Sequence, residues 1–190
     1  MKDSRDVKII AIVGMSGSGK SVAVDYLTSK GLPKVYFGGM ILKEMNLRGI
    51  EDTPENEKNF REMIRETEGK DWVVNQVIKE TKNLIDAGQR RIVLDGVYSW
   101  TEYKILKHEF PGELTFVAIV VPKKLRHKRV AARPERPFNA EEIQERDRSE
   151  IENLEKGGPI AMADYYVLND GTVEEMRGRL EEILDEIKWQ

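Results

Sequence analysis

The stretch Ile12-Val13-Gly14-Met15-Ser16-Gly17-Ser18-Gly19-Lys20-Ser21 decides the reading of this chain. Upstream, Val7–Val13 is an apolar run rich in β-branched residues, the pattern of a buried strand. Downstream, Lys20–Lys30 fits a helix stopped by Gly31-Leu32-Pro33. Between them, Gly14 to Ser21 matches G-x-x-x-x-G-K-[ST]. Glycines let the backbone turn its N–H groups inward against an anion, and the next helix adds its free N–H groups and positive dipole end. Lys20 then reaches the β- and γ-phosphates of a nucleotide, and the Ser21 hydroxyl ligates Mg²⁺. The bland alternative is a glycine-rich turn with a chance lysine. Against it stands the context that the phosphate reading demands, a strand before and a helix after.

Outward from this loop, strands alternate with helical segments. Lys34–Phe37 reads as a short strand and Met40–Leu47 as helical. Thr53-Pro54-Glu55 starts a helix to about Gly69, with a Thr cap and Pro at the first position. A further helix spans Asp71 to Gly88. Residues 91–96, RIVLDG, form a strand ending in an acid, and Trp100–Glu109 is helical. LTFVAIVV (114–121) is the most strongly β segment. Asn139 with Glu142 forms a capping box opening a helix to about Lys156, and Thr172 with Glu175 forms another after a last strand at 163–168. This alternation predicts an α/β fold with a five-stranded, mostly parallel sheet covered on both faces. The expected organisation is one domain over 1–190, with a helical insertion at about 38–90 and a mobile basic segment at about 122–148.

A phosphate loop needs an acid to manage Mg²⁺, and ligands of open α/β sheets sit at the C-terminal ends of strands. Asp95, after Ile92-Val93-Leu94, fits both needs; the alternative is an ordinary acid in a turn. Residues 122–137 carry seven Lys/Arg against one acid. A solvated face and a nucleic-acid patch are both possible readings. With a phosphate loop upstream, a third leads: arginines on a lid that stabilise charge on a transferred phosphoryl. Spacings of three and four put Arg126, Arg129 and Arg133 on one helical face; Arg136, Arg146 and Arg148 follow.

The bulk composition agrees. Hydrophobic residues make up 39% and charged residues 34% of 190 residues, which suits a globular chain. The net charge of −3 gives no global attraction to nucleic acid or anionic membrane. The chain has no cysteine and two histidines, which excludes disulfides and thiolate metal sites and suits a cytoplasmic location. No apolar run reaches the length of a membrane span, and the N-terminus lacks a signal-peptide core.

These residues resemble the P-loop nucleotide kinases, in the neighbourhood of adenylate kinase and dephospho-CoA kinase. GMSGSGKS is the phosphate loop, VLDGVYSW is similar to the strand and D-G turn of adenylate kinase-like enzymes, and RVAARPERPF with the later ADYYVLNDGT is similar to the lid and tail of dephospho-CoA kinases. The resemblance implies a three-layer kinase fold with an acceptor-binding insertion and an Arg-rich lid. It also implies an ATP- and Mg²⁺-dependent transfer of a phosphoryl group to a small, nucleotide-type acceptor. Lys20, Asp95, Arg129 and Arg133 become the expected catalytic residues, and Ser21 with Asp95 the metal ligands. Gly14, Met15, Ser16, Gly17, Ser18, Gly19, Lys20, Ser21, Arg136, Asn169 and Gly171 become the nucleotide contacts, the last two near the adenine. Asn169-Asp170-Gly171-Thr172 also reads as a turn and helix cap.

On the acceptor side the chain departs from the G-D-x-x-R pattern of adenylate kinases. Gly39 stands in place of the Asp and Leu42 in place of the Arg, and Asp95-Gly96 leads into Val97-Tyr98-Ser99 without an arginine. Arg61 and Arg65, four apart on one helix face, are the expected replacements; surface pairing with Glu57, Glu62 or Glu68 is the competing reading. Gly96 and Tyr98 are expected at the acceptor, with Tyr36, Phe37 and Trp100 either walling it or serving as core. Two other functions compete with a kinase. A GTPase switch lacks its N-K-x-D stretch here. A non-catalytic nucleotide- or RNA-binding module draws only on the basic segment. Lys20 is expected near solvent in the empty protein.

Overall fold

A computed structural model describes residues 6–134 and 137–189. The elements run β1 (Lys8–Val13), α1 (Lys20–Thr28), β2 (Lys34–Tyr36), α2 (Phe37–Leu47), α3 (Pro54–Thr67), α4 (Trp72–Asp86), β3 (Arg91–Asp95), α5 (Trp100–Glu109), β4 (Leu114–Val120), α6 (Lys123–Ala131), α7 (Ala140–Glu152), α8 (Gly157–Ala161), β5 (Tyr165–Leu168) and α9 (Val173–Glu186). The strands form one sheet in the order β2-β3-β1-β4-β5, and every pairing is parallel. β1 lies at the centre, so both its faces are buried, which explains its unbroken apolar run. Ile9, Ala11 and Val13 join a core with Val74 and Val77 of α4, Leu106 of α5 and Phe116 of β4. Ile10 and Ile12 face a second core with Leu27 of α1 and Met176 and Leu180 of α9. A third, small cluster of Ile41, Met45, Phe60 and Ile64 holds α2 to α3.

Parallel pairing brings the C-terminal ends of the strands to one edge. Asp95 lies opposite Ile12 on one side and opposite Tyr36 on the other. Val13, which leads into the glycine loop, lies opposite Ala118. The loop, the acid and the end of β2 thus meet at one edge of the sheet.

Most elements lie within one or two residues of the sequence expectation, and three differences bear on the site. α2 begins at Phe37, not Met40, because Gly38 and Gly39 pack against the Tyr36 ring and are absorbed into the helix. A Cβ on Gly38 would sit 2.5 Å from the Tyr36 hydroxyl. α6 ends at Ala131, so Arg133 lies beyond the helix and does not extend the face of Arg126 and Arg129. The helix from Asn139 stops at Glu152, not Lys156; Glu155 adopts a positive φ of 53° and the chain restarts as α8. The capping boxes at Asn139/Glu142 and Thr172/Glu175 are both formed. So is one the sequence reading missed, Ser99/Glu102 at the start of α5. No helix among the described residues is long and apolar enough to cross a membrane.

Candidate active site

The glycine loop joins β1 to α1. Gly19 caps α1 in the left-handed region, at φ 97°, a conformation that costs a residue without a side chain least. Gly17, at φ 83°, has a second constraint: a Cβ there would lie 2.5 Å from Val130 Cγ2 and 3.0 Å from Arg126 Cγ. The loop therefore packs directly against α6.

The Lys20 ammonium donates to the Met15 carbonyl at 3.1 Å. The residue is half-buried, further from water than the expected near-solvent position. Burial pushes its pKa down to about 8, and the neighbouring Lys156 charge adds to the drop, while Glu150 and Asp95 oppose it. A cation held this way is under-compensated and ready for an anion. Ser21 is exposed at the first turn of α1. Asp95 is partly buried, its carboxyl raised by desolvation against the opposing charges of Lys34 and Lys20; Lys34 Nζ is 3.7 Å away. Among the described residues no cluster of three or more His, Cys, Asp or Glu stands ready to hold a metal alone. Mg²⁺ at phosphate sites takes one or two protein oxygens and completes its shell with phosphate and water. The hard-oxygen pair of Ser21 and Asp95 fits that donor set.

The basic segment is tied to the loop at the polar atoms of Ser16. Its N–H donates to Glu150 Oε2 at 2.8 Å, its carbonyl accepts from Arg126 Nη1 at 3.1 Å, and its hydroxyl accepts from Arg133 at 3.5 Å. Arg126 is buried and grips Asp147 of α7 with two bonds of 2.5 and 2.6 Å. His127 Nε2 lies 2.7 Å from the same carboxylate. Burial acts to raise the Asp147 pKa, but its bonds to Arg126 and His127 outweigh that and hold it below the usual carboxylate range. Arg129 donates to the Asn169 carbonyl at 2.8 Å, and the Asn169 side chain donates to the Ser18 carbonyl at 2.8 Å. Arg126 and Arg129 thus face inward, which leaves the segment a poorer nucleic-acid patch than its composition suggests. Gly171 lies in the turn before α9 against the Glu175 carboxylate, within the capping box. Arg136 falls outside the described residues.

Beside the loop lies a cavity of about 250 Å³ between α2, α3, the turn after β3 and the α7–α8 junction. Arg61, Arg65, Arg146 and Lys156 line it with Tyr36, Phe37 and Tyr98. Both arginines expected at the acceptor are there, although Arg61 also pairs with Glu57. Trp100 is not part of the wall; it stacks on Tyr103 with ring centroids 5.0 Å apart and packs under Gly158. Gly96 is buried at φ 100° against Phe37 and Tyr98. Burial pushes the Tyr98 hydroxyl up to about 12, so it stays a neutral donor. A larger concavity of about 390 Å³, between Lys30, Leu32, Arg91 and Trp189, lies at the opposite, N-terminal ends of the strands, away from where α/β sheets bind ligands.

Sequence reasoning missed two charged residues of this region. Glu150 and Lys156 are 1% and 5% exposed and bond at 2.7 Å. Glu150 also accepts from Arg146 at 3.2 Å, and the Lys156 ammonium sits 4.5 Å over the Tyr98 ring. A signal existed: Ile143, Asp147 and Glu150 recur at helical spacing on one face of α7, so two acids occupy positions where that face turns inward.

The profile of the AAA_18 family, described as an AAA domain, matches residues 10–155. The chain belongs to the AAA_18 family. Curated relatives of this AAA_18 chain extend nearly end to end. A UPF0200 protein of Thermococcus onnurineus is 34% identical over 182 residues, covering 94% of this chain and 97% of its own length. A UPF0200 protein of Sulfurisphaera tokodaii is 36% identical over 186 residues, covering 95% and 98%. Solved structures share the fold at lower identity. TT1252 from Thermus thermophilus superposes with a TM-score of 0.62 at 21% identity, covering 95% of this chain and 97% of that one. A sugar kinase from Janibacter gives 0.58 at 19%, covering 94% and 95%; shikimate kinase from Aquifex aeolicus gives 0.52 at 18%, covering 94% and 96%. This AAA_18 chain therefore has a P-loop kinase fold, which implies ATP binding, typically with Mg²⁺. The kinases named here act on sugars and shikimate, so the resemblance holds at the level of P-loop kinases, not of the adenylate or dephospho-CoA kinase group.

Proposed function

We propose that this protein transfers the γ-phosphoryl group of ATP to a small, nucleotide-type acceptor seated in the Arg61/Arg65 cavity. The observation that carries the reading is the junction of that cavity with the phosphate loop: Glu150 touches Ser16 of the loop and Lys156 of the cavity wall at once. Residues Gly14 to Ser21 hold the donor phosphates, and Arg61 and Arg65 hold an anionic group of the acceptor. The aromatic wall of Tyr36, Phe37 and Tyr98 takes a base or similar flat group. The helices between β2 and β3 form the acceptor-binding insertion, and α6 and α7 the lid.

In the transfer, an acceptor oxygen bonds to the γ-phosphorus as the bond to the β–γ bridging oxygen breaks, and ADP departs. Lys20 and Arg133 meet the charge on the moving phosphoryl group. Arg129, bonded to the Asn169 carbonyl, braces the nucleotide side. Mg²⁺, when bound through Ser21 and Asp95, neutralises charge on the phosphate oxygens. A hydroxyl acceptor gives its proton to Asp95; a phosphate acceptor needs no base.

The test is ATP turnover against nucleoside monophosphates, dephospho-CoA, shikimate and simple sugars. Phosphorylation of a nucleotide-type acceptor supports the reading. ATP binding with no acceptor phosphorylated would sink it, and a sugar or shikimate product would replace the acceptor class.

A further inference from the structure

We propose that Glu150 is a specificity-determining residue that fills the seat of the γ-phosphate in the empty protein and so sets how far ATP is preferred over ADP. The inference rests on the proposed function, both the phosphate reading of the glycine loop and the acceptor reading of the cavity. A carboxylate that accepts a loop N–H is doing what a phosphate oxygen does there. Glu150 Oε2 accepts from Ser16 N at 2.8 Å, while Oε1 accepts from Lys156 at 2.7 Å and Arg146 at 3.2 Å. The carboxylate is 1% exposed and shares the field of Lys20. One buried anion therefore occupies the cationic space that a terminal phosphate would need.

Its position identifies which phosphate. Lys156 and Arg146 line the acceptor cavity, so Glu150 sits on the side of the loop that faces the acceptor. The phosphate that meets the acceptor is the one transferred, the γ. A nucleotide ending at the β-phosphate leaves Glu150 in place. ATP displaces it, takes the Ser16 N–H, and gains Lys156 and Arg146 as they lose their carboxylate partner. The cost of that displacement falls on ATP and not on ADP.

The experiment is calorimetric binding of ATP and ADP, with Mg²⁺ and without acceptor, to the wild type and Glu150→Gln. The expected result is a rise of about tenfold in the ratio of ADP to ATP dissociation constants, the scale of one charge-assisted hydrogen bond. An unchanged ratio in a folded variant, including one in which both nucleotides weaken alike, overturns the inference and leaves the kinase reading standing. A wild type that binds neither nucleotide overturns both. If Glu150→Gln does not fold, Glu150→Asp is read instead: it keeps a charge beside Lys156 but shortens the reach to Ser16. A smaller rise in the same ratio is expected, and a wild-type ratio overturns the inference.

Discussion

Arg126 Nη1 donates to the Ser16 carbonyl at 3.1 Å while the same guanidinium grips Asp147. α6 and α7 are thereby fastened to the phosphate loop by a residue that is 7% exposed. Among the arginines of the basic segment, Arg126 is thus held within the protein by its own partners. Removing one partner of a buried pair leaves the other charge uncompensated. Arg126→Ala is expected to cost about 3–5 kcal/mol of stability, read by denaturant unfolding, and to loosen the loop. A cost within experimental error would show the pair to be incidental.

The same pair sets an acid limit. Asp147 has a folded pKa below its unfolded value, so its contribution is present above the unfolded pKa and is lost as pH falls through the folded one. Stability should therefore decline with a steeper slope below about pH 4 in the wild type than in Asp147→Asn. Parallel pH–stability curves for the two proteins would contradict this.

Asp95 runs the other way. Its folded pKa is raised by burial, so its ionised form opposes folding at neutral pH. The term favours the fold below the unfolded pKa and fades as pH rises through the folded one. Asp95→Asn is expected to melt at a higher temperature than the wild type at pH 7, with transfer lost and a higher Mg²⁺ requirement for nucleotide binding. A variant that is both destabilised and active would remove Asp95 from the site.

Arg65→Ala should raise the KM for the acceptor roughly 10–100-fold, the scale of a hydrogen bond to a charged group, with ATP affinity unchanged. Arg61→Ala should do less, because Arg61 already pairs with Glu57. Initial-rate kinetics with each substrate varied separate the two. Equal losses of ATP and acceptor affinity would place the cavity elsewhere in the mechanism.

How much of this was legible in the sequence follows from the range of the interactions. The loop, its flanking strand and helix, and the two predicted capping boxes are local patterns, and each is formed, with the helix ending at Thr28 rather than Lys30. The parallel sheet followed from alternation of element types. Arg61 and Arg65 were placed together by helical periodicity, and the cavity faces both. Glu150 meets Ser16 across a separation of 134 residues, a contact no local spacing encodes. From sequence Arg126 groups with the charge-stabilising lid arginines, because its partner, Asp147, lies on another helix. Trp100 reads equally as acceptor wall or core, because strand-end position alone does not say which way a ring packs; the structure stacks it on Tyr103. Lys20 is expected near solvent because the motif gives its identity and reach, not the partial burial imposed by the folded loop and the groups around it.

That burial yields the last prediction. With a pKa of about 8 in the empty protein, Lys20 is only about half protonated at pH 8. Polyphosphate beside it favours the charged form and pulls the pKa back up. ATP binding at pH 8 should therefore take up about half a proton, and the uptake should shrink towards pH 6, where the lysine is already charged. Calorimetry in buffers of different ionisation enthalpy measures this directly. Lys20→Met should abolish the uptake and lower kcat by roughly 10²–10³-fold, the scale of losing one preorganised charge contact to the transition state, while the variant stays folded. The folded-state sign is also fixed. A lysine whose pKa is depressed on folding destabilises the empty protein below about pH 8 and ceases to do so as pH rises towards 10.5. At neutral pH the Met variant should thus melt no lower than the wild type without ATP, and should gain less from adding it. A variant that took up the same fraction of a proton on binding would assign the titration to another group and free Lys20 of this role.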